Sequence, residues 1–170
     1  NILRTDKGDR VLVGGVVANV FLRASGIDFG QAENRRLEKS SALLENARAI
    51  LAKYRERVVL PRDVAVLRNG VREDIAVGRE LGGGMVRDIG KETSRQYTEI
   101  IKESKTVVST GPMGVFEEKG LEVGSRAVLE AMANSTAFTV VGGGHMAGYA
   151  SMLGLDARLS HVSSAGGARL

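Results

Sequence analysis

Phe138-Thr139-Val140-Val141-Gly142-Gly143-Gly144-His145 is the stretch whose reading decides the fold class. Four residues dominated by β-branched and aromatic types make a short strand, too short and too apolar for a surface helix. Three glycines end it, and the residues to Leu153 read as a helix. The same order recurs on either side. Val11-Leu12-Val13 is a buried strand that meets Gly14-Gly15, followed by a helix through about Ala24. Thr106–Ser109 is a strand, with a helix at about Ser125–Ala133. Leu159–Val162 is a last short strand, after which another helix is expected to begin within Ser163–Leu170. Strands alternating with helices predict an α/β fold, Rossmann-like and three-layered, with a parallel sheet between two helical faces.

Between these units the period changes. Leu37, Leu44, Ala47, Leu51 and Tyr54 recur at helical spacing and predict one long helix from Asn34 to Tyr54. Arg35, Arg36 and Lys39 lie on its solvated face. Val58-Val59-Leu60 is a strand closed by Pro61. Asn69-Gly70 is the dipeptide that a two-residue hairpin prefers, because both central residues need positive φ. It predicts a small antiparallel insertion from Val64–Leu67 and Val71–Ile75. Thr93 and Gln96 have the spacing of a capping box for a helix running to about Ser104.

Composition narrows the function. The 24 Lys and Arg against 20 Asp and Glu leave a net charge of +4, dispersed along the chain, which gives little support to a nucleic-acid surface. With 43% apolar and 26% charged residues the chain can build a core, and its 170 residues read as one domain. No apolar run approaches the roughly 18 residues of a membrane span, so no membrane partner is expected. With no cysteine, disulfides, thiolate metal sites and a cysteine nucleophile are excluded, and two histidines are few for a metal centre. The surplus is in 22 glycines, several of them at the carboxyl ends of predicted strands, where such sheets bind ligands. Helices that open on one such edge present free N–H groups to an anion.

Among phosphate-binding motifs, a Walker A loop is excluded. Gly90-Lys91 is followed by Glu92, and Met85 stands where the first glycine belongs. Gly142-x-Gly144-x-x-Ala147 fits the relaxed dinucleotide fingerprint, but the acid expected about 20 residues on, at a strand end, is missing, since Asp156 precedes its strand.

Ser109-Thr110-Gly111-Pro112-Met113-Gly114-Val115-Phe116-Glu117 is more specific, and with it the chain resembles the phosphoglycerate kinase family. Further segments agree in order. They are VLVGGVVANVF at 11–21, LPRD at 60–63, DIG at 88–90, GGGH at 142–145 and HVSSAGGA at 161–168. The histidine in GGGH is similar to archaeal members. The resemblance implies the nucleotide-binding C-terminal domain, incomplete at both ends. It would lack the phosphoglycerate-binding domain, a lysine segment before Asn1 and a tail after Leu170. It also implies a cytoplasmic enzyme that moves a phosphoryl group reversibly between 1,3-bisphosphoglycerate and ADP, giving 3-phosphoglycerate and ATP with Mg²⁺. A non-catalytic nucleotide-binding module is the alternative.

Residue by residue, the resemblance places the adenine against Gly14 and Gly15, though these also serve tight strand-to-helix packing. Thr110, Pro112 and Val115 would border the nucleotide, and Glu117 would accept hydrogen bonds from the ribose hydroxyls. Gly142, Gly143, Gly144, His145 and Met146 would face the phosphates, Met146 in place of a hydroxyl residue. Gly166 and Gly167 would open the helix whose N–H groups meet the transferred phosphoryl group. His145 stands where an aspartate would help to hold Mg²⁺. A phosphate contact, a contact to metal-bound water and a helix-end histidine without a ligand all stay open for it. His161 reads as a packed core histidine.

Overall fold

The computed structural model of the chain describes residues 10–39 and 41–163. Its elements in order are β1 (Val11–Leu12), α1 (Gly15–Ala24), α2 (Gln31–Glu38), α3 (Ser41–Tyr54), β2 (Val58–Val59), β3 (Asp63–Arg68), β4 (Val71–Ala76), β5 (Asp88–Ile89), α4 (Lys91–Lys102), β6 (Thr106–Ser109), α5 (Val123–Asn134), β7 (Phe138–Gly142), α6 (Gly144–Met152) and β8 (His161–Ser163). Parallel pairing comes in two ladders, β1-β2 and β6-β7-β8.

Alternation along the strands explains the layers. Val11, Val13 and Val58 pack with Ala18 of α1 and Leu51 of α3 on one face. Leu12 and Val59 point the other way, into a core shared by α4, α5 and α6 through Tyr97, Ile101, Leu129, Met132, Met146 and Tyr149. Val107, Val141 and Val162 of the second ladder join that same core. Their neighbours Val108 and Phe138 remain exposed, at 50% and 57%.

The hairpin forms as its turn demands. Asn69 and Gly70 adopt φ of 52° and 75°, and Asp63 to Arg68 pair in register with Ala76 to Val71. β5 adds a third antiparallel strand on the far side of β3, which two residues of sequence did not foretell. Arg72 ties this insertion down. Its Nη1 donates to Asp88 Oδ2 and to the Gly120 carbonyl, both at 2.9 Å, and its Nη2 to the Ile89 carbonyl at 2.8 Å.

The structure corrects four expectations. The helix over 34–54 is two, because α2 is bound to α1 through a buried carboxylate. Glu33, 1% exposed, accepts from the Asn19 amide at 3.3 Å and pairs with Arg36. α3 then starts afresh at Ser41. Thr93 is no N-cap: α4 begins two residues earlier, with Gly90 as its N-cap. The Thr93 hydroxyl turns inward to Asp63 and accepts from the Arg62 N–H at 2.9 Å. His161 is exposed on β8, on the open face with Phe138, rather than packed in the core. The last strand begins at His161 because a 3₁₀ turn occupies Asp156–Arg158. The helix expected within 163–170 lies beyond Ser163, outside the described residues.

Candidate functional site

Three strand-to-helix loops meet at the carboxyl edge of the parallel strands, with the segment 110–117 in the middle. On one side the Gly15 N–H donates to the Met113 carbonyl at 2.7 Å. Gly15 has φ of +55°, and a Cβ there would stand 3.0 Å from the Pro112 carbonyl oxygen. A side chain would therefore be strained by backbone conformation and crowded by the loop as well. Gly14 is pressed against Met113 in the same way, its missing Cβ falling 2.9 Å from the Met113 Cα. On the other side Gly143 has φ of +92°, and its missing Cβ would lie 3.1 Å from the Thr110 carbonyl. The Gly143 N–H donates to the Ser163 carbonyl at 3.2 Å, which draws β8 to the same edge. The loop itself is anchored from below. Met113 N–H donates to the buried Ser125 hydroxyl at 2.9 Å, and Val115 N–H to the Arg87 carbonyl at 2.8 Å.

Two helices open on this edge. α1 opens at Gly14 and α6 at Gly143, neither with a side-chain cap nor with an acid in its first turn. α4 is capped by a carboxylate from β3. Asp63 Oδ2 accepts the Glu92 N–H at 3.0 Å and Oδ1 the Thr93 N–H at 2.7 Å. Apart from the Gly15 N–H, which the Met113 carbonyl takes, the first turns of α1 and α6 have no side-chain cap, and their dipole ends suit an external anion. No described residue stands within 4 Å of a Cβ built on Gly144, and Gly144 and His145 are exposed.

The expected site residues divide accordingly. Gly14, Gly15, Thr110, Pro112, Gly142, Gly143 and Gly144 come together where the loops touch. Val115 is tied to Arg87 within the same loop. Glu117 is exposed, with no hydrogen-bond or ion-pair partner among the described residues, whereas Glu118 beside it pairs with Arg87. His145 presents its ring to Phe116. Met146 is 0% exposed, its side chain in the core with Tyr149 and Met132. One residue on from His145, the helical turn carries an unbranched apolar side chain inward, and it offers the ligand edge nothing. Gly166 and Gly167 lie outside the described residues.

Sequence reasoning missed Ser125, Arg87 and Arg72, whose partners are distant in the chain. It also took the acids of LPRD and DIG only as signatures. Asp63 caps α4, and Asp88, 2% exposed, bonds Arg72 and the Gly124 N–H at 2.9 Å each. Burial pushes the Asp88 carboxyl above its ordinary value, the Arg72 bond offsetting part of the rise. Ser109 is buried at the end of β6 with no hydrogen-bond partner for its hydroxyl. A hollow of about 460 Å³ is lined by Asn46, Ala49, Ile50, Lys53 and Tyr54 of α3 and by none of the glycine loops. No helix among the described residues is long and apolar enough to cross a membrane.

The chain is similar to phosphoglycerate kinases. The sequence model of the family described as "Phosphoglycerate kinase" matches residues 2–170. The chain is 40% identical over 170 residues to the phosphoglycerate kinase of Methanothermus fervidus, covering 99% of this chain and 41% of that protein. It is 41% identical over 172 residues to phosphoglycerate kinase 2 of Methanosarcina acetivorans, again 99% of this chain and 41% of the relative. The crystal structure of phosphoglycerate kinase from Pyrococcus horikoshii OT3 superposes with a TM-score of 0.89 at 37% identity, over 98% of this chain and 42% of that one. The chain thus spans about two fifths of the length of these relatives, and over that span it belongs to the phosphoglycerate kinase family.

Proposed function

We propose that this chain is the ADP/ATP-binding portion of a cytoplasmic phosphoglycerate kinase, which exchanges a phosphoryl group between 1,3-bisphosphoglycerate and ADP. The observation that carries the reading is the interlocked edge, where loops 14–15, 110–117 and 142–144 meet beneath two uncapped helix ends. Phosphoryl transfer asks for in-line placement and for donors aimed at spread negative charge, not for an acid–base pair. Backbone N–H groups of the α6 opening fit that demand, and glycine lets the phosphates approach them. The adenine lies toward Gly14 and Gly15, and Glu117 accepts from the ribose hydroxyls. The family resemblance assigns Gly166 and Gly167, outside the described residues, to the transferred group.

No group of three or more carboxylate or histidine side chains converges among the described residues. Mg²⁺ enters with the nucleotide substrate, on its phosphates.

The acyl phosphate binds on residues outside this chain, so the chain by itself binds nucleotide without turnover. Holding both reactants in line can account for roughly 7–11 kcal/mol of barrier, and one half holds one reactant. Calorimetry tests the binding. Mg·ADP or Mg·ATP should bind without competition from NADH, and equal or tighter NADH binding would favour a dehydrogenase. A coupled assay with 3-phosphoglycerate and Mg·ATP tests the division of labour. Activity should appear only when the phosphoglycerate-binding part is supplied. Robust turnover by the chain alone would refute the assignment, and nucleotide binding that no added part converts to turnover would favour a non-catalytic module.

A further inference from the structure

His145 is exposed in the first turn of α6, and its ring meets the Phe116 ring edge-on, with centroids 6.5 Å apart and planes at 70°. Tyr149, one helical turn further, is 4% exposed and stacks on Phe116 at 4.5 Å and 25°. Two rings from a single helix therefore hold one side chain of the 110–117 loop. The spacing is a consequence of helix geometry, since residues four apart share a face.

What Phe116 precedes gives this contact its meaning. The residues that flank Glu117 are tethered. Val115 N–H donates to the Arg87 carbonyl at 2.8 Å, Glu118 N–H to the Val115 carbonyl at 3.2 Å, and the Glu118 carboxylate pairs with Arg87. Glu117 itself is exposed and has no protein partner among the described residues. Its carboxylate is directed by the backbone that its neighbours hold, and Phe116 is the neighbour that α6 holds.

We propose that His145 is a positioning residue. Together with Tyr149 it clamps Phe116 and thereby sets Glu117 for the ribose, instead of touching phosphate or metal-bound water. This rests on the reading of Glu117 as the ribose acceptor given above. It also links the helix that opens on the phosphates to the loop that reads the sugar. The aromatic ring is the functional part of His145, and its hydrogen-bonding nitrogens are not.

The test is calorimetric titration of the whole chain with Mg·ADP and with Mg·2′,3′-dideoxy-ADP, for the wild type, Glu117→Ala, His145→Ala, His145→Phe and His145→Asn. Glu117→Ala should weaken ADP and leave dideoxy-ADP nearly unchanged. His145→Ala should weaken ADP by about two- to tenfold, the range of one aromatic pair, with little effect on dideoxy-ADP. His145→Phe should restore the ADP affinity, and His145→Asn should behave like alanine. Equal weakening of both nucleotides by His145→Ala, or rescue by asparagine and not phenylalanine, would overturn the clamp in favour of a polar contact to the phosphates or metal water. No effect of His145→Ala, where Glu117→Ala behaves as expected, would overturn the clamp alone. If Glu117→Ala weakens both nucleotides alike, the ribose reading itself falls, and the clamp with it.

Discussion

Replacing Asp63 should destabilise the fold and leave the proposed nucleotide site intact. One carboxylate, 6% exposed, closes the open end of α4. Oδ2 accepts the Glu92 N–H at 3.0 Å, and Oδ1 accepts the Thr93 N–H at 2.7 Å and the Thr93 hydroxyl at 2.6 Å. The Asp63 carbonyl takes the Gly90 N–H at 2.9 Å, so a single residue satisfies three of the helix's orphan donors. A lost cap ordinarily costs about 0.5–2 kcal/mol, and each buried group left unsatisfied about 1–3 kcal/mol. Asp63→Ala strands two N–H groups, while the Thr93 hydroxyl keeps the backbone carbonyl of residue 63 at 3.0 Å, and water entering the gap recovers part of the loss. The expected cost is about 3–4 kcal/mol, a large share of a typical domain stability of about 5–15 kcal/mol. Asp63→Asn keeps one acceptor oxygen and should cost about 1–2 kcal/mol. Urea unfolding, followed by far-UV circular dichroism because the chain has no tryptophan, should move the midpoint by roughly 1.5 M for the alanine variant at a slope of about 2 kcal/mol per molar. The affinity of the folded fraction for Mg·ADP should stay at the wild-type value. A cost under about 1 kcal/mol, equal costs for alanine and asparagine, or a changed affinity would refute the capping role.

Tyr97→Phe should cost about 1–3 kcal/mol in the same assay, because the buried hydroxyl lies 2.7 Å from the Val13 carbonyl and 2.9 Å from that of Val59; an unchanged midpoint would mean that water serves those carbonyls. Arg72→Ala should cost about 3–5 kcal/mol by leaving the buried Asp88 without its cation, and a loss under about 1 kcal/mol would show the insertion to be held by packing alone. For Asp88 the pH dependence has a definite sign, since burial raises its folded pKa above 3.8 and the native state holds the proton more tightly than the unfolded chain. On this group's account stability is highest below 3.8 and falls as pH rises through the raised value, so the wild type's advantage over Asp88→Asn should shrink from pH 3.8 upward, and an advantage that grows would contradict the burial argument.

How much of this was legible in the sequence depended on the distance over which each feature is written. The hairpin turn is local, and Asn69-Gly70 announces it. The strand ends are local too, as short apolar runs that stop at glycine. The helix over 34–54 failed because Leu37, Leu44, Ala47 and Leu51 keep helical phase across the break. All four are buried, so periodicity sees one apolar stripe where the chain makes two axes. Thr93 and Gln96 failed for the complementary reason. The local pattern was present, but a carboxylate thirty residues upstream takes the Glu92 and Thr93 N–H groups, and the helix starts earlier, at Lys91. His161 was misplaced because a histidine on a strand is buried only if both sheet faces are covered, and at Phe138 and Val108 one face is open.

The site was legible for a related reason. Its chemistry is carried by backbone, and backbone exposure is written in glycines. Yet the glycines serve two purposes that sequence cannot separate. Gly14 and Gly15 lack side chains because the Pro112–Met113 loop leans on them, and Gly144 faces open space. The first pair builds the edge, whereas the second leaves room on it. The same division runs through the acids. Asp63 and Asp88 sit in the two most recognisable short signatures, but both are buried and spent on the protein's own N–H groups and on Arg72. Glu117, with no partner among the described residues, is the carboxylate of this edge still free to bind something else. In a fold whose ligand meets backbone donors, an acid available to a substrate is best recognised by what the rest of the chain has left unpaired.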